Sequence, residues 1–163
     1  MISLEPPRAF ADKADPWGAL GISRTGLTRF LHIAQAAAGM AGEVEVLLAD
    51  DRVLRRLNLQ FRGKNKATDV LSFPPGDEFA GSHSGDLAIS LETAAEQAEE
   101  HGHTLRDELR ILLLHGVLHL SGMDHEADDG EMAERERELR KRLRLPVGLI
   151  ARAESTPLSL IHI

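Results

Sequence analysis

The sequence predicts an α+β fold: a small mixed β-sheet of three to four strands packed with about five helices, with a central buried metal-binding helix. Three observations predict it. Long segments with apolar residues at helical spacing are interleaved with short segments in which apolar and polar residues alternate. Ile111, Leu112, Leu113 and Leu114 surround almost the whole circumference of one helix, which leaves it no solvent face. Some connections between strands are helical and others are loops, so parallel and antiparallel pairings are both expected. A length of 163 residues suits a single domain, 1–163, with one sizeable core.

Ile2 to Leu4 reads as a short first strand. Glu5 to Gly21, with Pro6, Pro7, Pro16 and Gly18, reads as an irregular connection. Arg24 to Ala38 has Leu27, Phe30, Leu31 and Ala34 on one side and Gly39 as its stop, which predicts a helix. Glu43 to Ala49 alternates as a strand does. Asp50 is placed to cap a helix from Asp51 to about Leu59, with Val53, Leu54 and Leu57 inward. Phe61 to Lys66 reads as a polar loop, and Thr68 to Phe73 as a strand ended by Pro74 and Pro75. A Gly- and Ser-rich loop, 76–85, leads to a strand over Gly85 to Ser90. Helices follow over Glu92 to His101, stopped by Gly102, and from Thr104 to about Ser121, where Thr104, Asp107 and Glu108 mark the start. A last helix covers Asp129 to Leu143, with Met132, Leu139 and Leu143 on one stripe. The tail 147–163 is partly apolar.

The composition is that of an ordinary globular protein, 42% hydrophobic and 28% charged. The chain has no cysteine, which excludes disulfides, thiolate zinc sites and cysteine nucleophiles. Met1 to Trp17 shows no basic segment followed by an apolar stretch, and no apolar run approaches the length of a membrane span. A cytoplasmic protein without a membrane partner is expected. The net charge of −7 argues against wholesale coating of nucleic acid. The charge is uneven, however. Arg52, Arg55, Arg56, Arg62, Lys64 and Lys66 form a run without acids, whereas acids dominate from Glu126 to Glu138.

The chemistry concentrates between His115 and His125. His115 and His119 lie one helical turn apart on one face. Gly122 can end that helix in a left-handed conformation, and His125 can then return to the same point. Three imidazoles converging from a helix and its following loop form a zinc set with an open fourth position, although three imidazoles also suit nickel, copper or iron. Burying several histidines among Ile and Leu is costly unless they are satisfied. The spacing coincides with the H-E-x-x-H-x-x-G-x-x-H pattern of metzincin proteases, except that Gly116 stands where the general-base Glu is required. Proteolysis by that route therefore lacks its proton acceptor.

Arg62, in the loop leading to a strand, can clasp a phosphate bidentately. A metal-activated water with an arginine suits phosphodiester cleavage better than peptide cleavage. Asp69 and Asp86, at strand starts, are open to two readings: partners of a ligand imidazole, or turn and cap residues. His101-Gly102-His103 reads as a helix end rather than a metal site. Gly81-Ser82-His83-Ser84-Gly85 fails the nucleophile-elbow pattern, because His83 occupies the serine position.

Three ordered motifs resemble the bacterial YbeY family of metal-dependent endoribonucleases. They are His115-Gly-x-Leu-His119-Leu-x-Gly122-x-Asp124-His125, Asn58-Leu-Gln-Phe-Arg62-Gly-Lys-Asn-Lys-Ala-Thr68-Asp69-Val-Leu-Ser-Phe-Pro74, and Gly85-Asp86-Leu-Ala-Ile-Ser90. The likeness spans about Val44 to Arg144 and departs at Met123, where an aromatic residue or His is expected. The resemblance implies His115, His119 and His125 as zinc ligands and Arg62 as the catalytic cation. It implies single-stranded RNA as substrate, with Lys64 and Lys66 in the basic run that binds it. It also implies a setting in small-subunit rRNA 3′-end maturation and ribosome quality control, with the small subunit or its proteins as partners. The missing Glu and the acidic surface keep a second reading open, a non-catalytic ribosome-assembly factor with a structural metal.

Overall fold

A computed structural model describes residues 1–6, 12–76, 83–124 and 126–146 of the chain. The described elements run β1 (Ile2–Leu4), α1 (Pro16–Ala19), α2 (Arg24–Ala37), β2 (Glu43–Ala49), α3 (Asp51–Arg62), β3 (Val70–Phe73), β4 (His83–Ser90), α4 (Leu91–His101), α5 (Leu105–Leu120) and α6 (Glu131–Arg142). The four strands form one mixed sheet in the order β1-β2-β4-β3. β1 is parallel to β2 and β2 to β4, while β3 runs antiparallel to β4 and forms an edge. The α+β expectation holds, with six helices among the described residues rather than about five. Of the loop expected over 76–85, residues 77–82 lie outside the described residues and 83–85 belong to β4, because their backbone pairs with β2; the tail 147–163 also lies outside the described residues.

β3, β4 and α6 start two residues from their expected positions, at Val70, His83 and Glu131, and two further differences are larger. Part of the 5–21 connection is helical: Pro16 opens α1 at a position that needs no N–H, and the Asp15 side chain caps it by accepting from the Gly18 N–H at 3.1 Å. α3 continues past Leu59 through Phe61 and Arg62, and Gly63 stops it in a left-handed conformation. Arg62 is thus the last residue of a helix and not part of a loop. The segment after it is held by buried Asn58, whose Nδ2 donates to the Lys66 carbonyl at 2.9 Å.

The sheet is covered unequally on its two faces. Val44, Val46 and Leu48 of β2 and Leu87 and Ile89 of β4 enter the large core with α2, α4, α5 and α6. The alternate residues Ala49 and Ala88, with Leu71 of β3, pack on the other face against Val53 and Leu54 of α3. Among the described residues one helix, α3, covers part of that second face.

α5 lies across the large-core face, and Leu109, Leu112, Leu113 and Val117 have no measurable exposure. Gly116 is where it meets β4. A Cβ there would come within 2.7 Å of a methyl carbon of Leu87, which is itself buried. The residue that replaces the metzincin Glu therefore faces the sheet, and its neighbour His115 is turned elsewhere. Substituting G116A sets a helix-propensity gain of about 0.5–1 kcal/mol against an overpacking cost of about 1–3 kcal/mol. The expected net result is a melting temperature lowered by a few degrees, read by thermal denaturation. A higher melting temperature would mean that Leu87 yields freely and that the close approach carries no constraint.

Candidate active site

Thr104 caps α5 by accepting from the Asp107 N–H at 3.1 Å, and the helix carries both histidines into the core near its C-terminal end. It ends in a Schellman turn. The Gly122 N–H donates to the His119 carbonyl at 3.0 Å and the Met123 N–H to the Leu118 carbonyl at 3.2 Å. Gly122 takes φ +103°, which a side chain rarely adopts. The turn brings the Met123 carbonyl oxygen to Nδ1 of His119 at 3.1 Å. A backbone atom does this, so Met123 serves the site although its side chain departs from the family pattern.

His115 is fixed from another element. Its Nδ1 lies 2.7 Å from Oε2 of Glu136 on α6, and both residues are buried. A carbonyl and a carboxylate are acceptors, so each Nδ1 carries a hydrogen, and each Nε2 of a neutral ring is left to present a lone pair to a metal. The two Nε2 atoms stand 3.1 Å apart, and the rings meet edge-on at 76°. Two nitrogens bound to one zinc at usual bond lengths and a near-tetrahedral angle lie about 3.3 Å apart. The spacing and the tautomers therefore fit one transition-metal ion between the rings. Among the described residues no cluster of three ligand-type side chains forms. His125, the expected third ligand, lies outside the described residues.

Arg62 opens into the same pocket, a cavity of about 360 Å³ also lined by Asp69, Ser72, Pro74, His115, His119 and Asp124. The fold thus joins the end of α3 to the histidines across edge strand β3. Lys64 and Lys66 do not line this pocket among the described residues. Lys66 instead faces a separate cleft with Arg52, Arg55 and Arg56.

The two candidate aspartates part company. Asp69 reaches the pocket wall. Its Oδ1 accepts from the Val70 N–H at 2.7 Å and its Oδ2 from Gln97 at 3.3 Å. Gln97 also donates to Glu108 at 3.0 Å, and Glu108 holds His103 at 2.6 Å. Asp86 sits inside β4 beside His83, at 3.2 Å. Glu136 supplies the carboxylate hydrogen-bonded to His115, while Asp69 acts on the same imidazole through charge. Loss of water around Asp69 raises its pKa above the ordinary 3.8, against the lowering pull of its hydrogen bond from Val70. Glu136 had one legible signal: it falls at i+4 from Met132 on the otherwise apolar stripe of α6. His101 and His103 flank the left-handed Gly102 at the end of α4, as a helix stop requires.

The family model described as "Endoribonuclease YbeY" matches residues 23–144. The chain belongs to the YbeY family. A relative with that name from Koribacter versatilis is 54% identical over 132 residues, 81% of this chain and 85% of that protein. One from Aquifex aeolicus is 40% identical over 140 residues, 85% of each chain. The solution structure of TM1509 from Thermotoga maritima superposes with a TM-score of 0.54 at 28% identity, covering 88% of this chain and 92% of that one. The match includes both histidines of α5, Arg62, Asp69 and Glu136, so the pocket lies within the part of the chain that defines the family.

Two outcomes are expected at the site. E136A should weaken zinc binding about 10- to 100-fold, with E136Q recovering part of the loss; zinc titration of chelator-treated protein measures it, and unchanged affinity would separate Glu136 from the site. D69N should stabilise the metal-free protein at neutral pH. A raised carboxyl pKa gives the folded chain stability that is complete below 3.8 and is lost as pH rises through the higher folded value. The D69N advantage in melting temperature should therefore shrink as the solution is acidified. An advantage that grows on acidification would contradict the desolvated carboxylate.

Proposed function

We propose that this chain is a zinc-dependent endoribonuclease that cuts single-stranded RNA in the cytoplasm, in small-subunit rRNA 3′-end maturation and ribosome quality control. The reaction class, hydrolysis of RNA phosphodiester bonds, follows from membership of the endoribonuclease YbeY family. The finer assignments are the reading that the site supports best. No helix among the described residues is long and apolar enough to cross a membrane.

One observation carries the reading: Arg62 and the His115–His119 pair line one pocket. His115 and His119, with His125 as third ligand, would hold a divalent ion, which supplies Lewis acidity toward water and a phosphoryl oxygen. Phosphodiester hydrolysis builds negative charge on the non-bridging oxygens. The exposed Arg62 guanidinium is planar and permanently charged, and it can pair with two of those oxygens at once. Asp69 and Asp124 offer carboxylate acceptors in the pocket wall that can orient the attacking water. Glu136 and the Met123 carbonyl fix the ligand rings before substrate arrives, so the site need not reorganise as charge develops. An unpaired strand suits the substrate role, because its backbone can bend across a sheet edge where a duplex cannot follow. The basic cleft on α3 extends the track for phosphates beyond Arg62 and implies salt-sensitive binding. The small ribosomal subunit or its proteins are the partners this reading implies.

Cleavage of a labelled single-stranded oligoribonucleotide tests it. R62A should cut at least about 100-fold more slowly, the usual loss when one charge-stabilising group is removed, with an unchanged melting temperature because Arg62 is exposed. A chelator should stop the wild-type protein, and zinc should restore it. R62A cutting at the wild-type rate would remove Arg62 from the reaction. Metal-replete wild-type protein that leaves the RNA intact would favour an assembly factor with a structural metal.

A further inference from the structure

Among the described residues the second face of the sheet is part-covered by α3 and holds a groove of about 630 Å³. Its apolar wall includes Leu57 and Phe61, one turn apart on α3, with Leu47, Phe73 and Ala88 of the sheet, and Asp86 supplies a carboxylate. Phe61 keeps 59% of its surface in water. Its ring stands edge-on to Phe73 with centroids 5.3 Å apart, which leaves a ring face open.

The groove is continuous with the active pocket. Pro74 lines both, and Phe61 immediately precedes Arg62. Ser72 faces the pocket and Phe73 the groove, so the two sites lie on opposite sides of edge strand β3, with Arg62 reaching around its end. We propose that this groove is a nucleobase subsite: a base neighbouring the phosphate held at Arg62 turns around the sheet edge and stacks on Phe61. The proposal rests on the nuclease reading for the identity of the strand. Charge favours a base over a second phosphate. Asp86 and Glu45 line the groove, and these acids repel a phosphate but accept hydrogen bonds from the amino groups of adenine, cytosine or guanine. Stacking on an aromatic ring tolerates any base, so the subsite adds grip at every sequence and a preference for amino-bearing bases over uracil.

The test uses the full-length protein and two oligoribonucleotide series. In the first, a single abasic residue is moved through the strand. One position next to the cut should raise the wild-type KM about five- to tenfold, the low end of what one base–aromatic stack contributes. F61A should raise KM by a similar factor on the intact strand, make the abasic residue at that position cost nothing further, and be rescued by F61W. In the second series, 2-aminopurine at that position in a 2′-O-methyl strand, which is not cut, should lose fluorescence on binding to wild-type protein and keep it with F61A. Quenching without any cleavage of RNA would sink the nuclease reading and support the subsite. Cleavage that ignores both the abasic residue and F61A would overturn the subsite alone. A protein partner occupying the groove predicts that second result.

Discussion

The Nδ1 atoms of His115 and His119 are each committed to an acceptor, and their Nε2 atoms consequently face one another across 3.1 Å. Two nitrogens at that distance share something positive, a proton or a metal ion, and an apolar helix is an expensive place to leave them unsatisfied. Much of the architecture serves to maintain this pairing. α5 is buried along most of its length, and its two histidines reach solvent through the pocket they line. α6 lends one buried carboxylate. The Schellman turn at Gly122 delivers a carbonyl that no side-chain substitution can remove. Gly116 sets how closely the helix lies on β4.

The electrostatics around that centre are divided rather than uniform. The chain carries a net −7, yet the substrate class is a polyanion. The basic residues that matter are gathered on α3, with Arg52, Arg55 and Arg56 in one cleft and Arg62 at the helix end. An acidic molecule with one basic face has little tendency to coat nucleic acid indiscriminately. In the proposed reading a strand that binds is led along α3 toward the histidines. Edge strand β3 separates two environments, a polar pocket that would take the phosphate and an apolar groove on the opposite face. A flexible single strand can use both, because its bases are free to turn away from its backbone.

Much of the fold was legible in the sequence because periodicity and caps agreed. Asp50 and Thr104 mark the starts of α3 and α5 as expected, and Gly102 ends α4. Where local signals competed, the reading failed. Pro16 and Gly18 look like breakers, but after Asp15 the proline is a helix start and the glycine N–H receives the cap. Phe61 and Arg62 look like loop because the polar run begins there, whereas the stop signal was Gly63. Within the site, the histidine pair was written in the i, i+4 spacing. Its supporting carboxylate was only faintly so, since Glu136 falls on the apolar stripe of α6 but inside a charge run that resembles a solvated face. Asp69 read equally as an imidazole's partner or as a turn residue, and its carboxylate both accepts from the Val70 N–H and lines the pocket. The meeting of Arg62 with the histidines is a long-range fact that only the packing of α3 and α5 on opposite faces of the sheet supplies.

Imidazole nitrogen NMR on chelator-treated protein, before and after one equivalent of zinc, tests this arrangement most directly. The expected spectra show His115 and His119 as Nδ1–H tautomers, with both Nε2 resonances shifting together and saturating at one zinc per chain. Nε2–H tautomers in the zinc-free protein, or zinc binding that leaves the two Nε2 resonances in place, would contradict it.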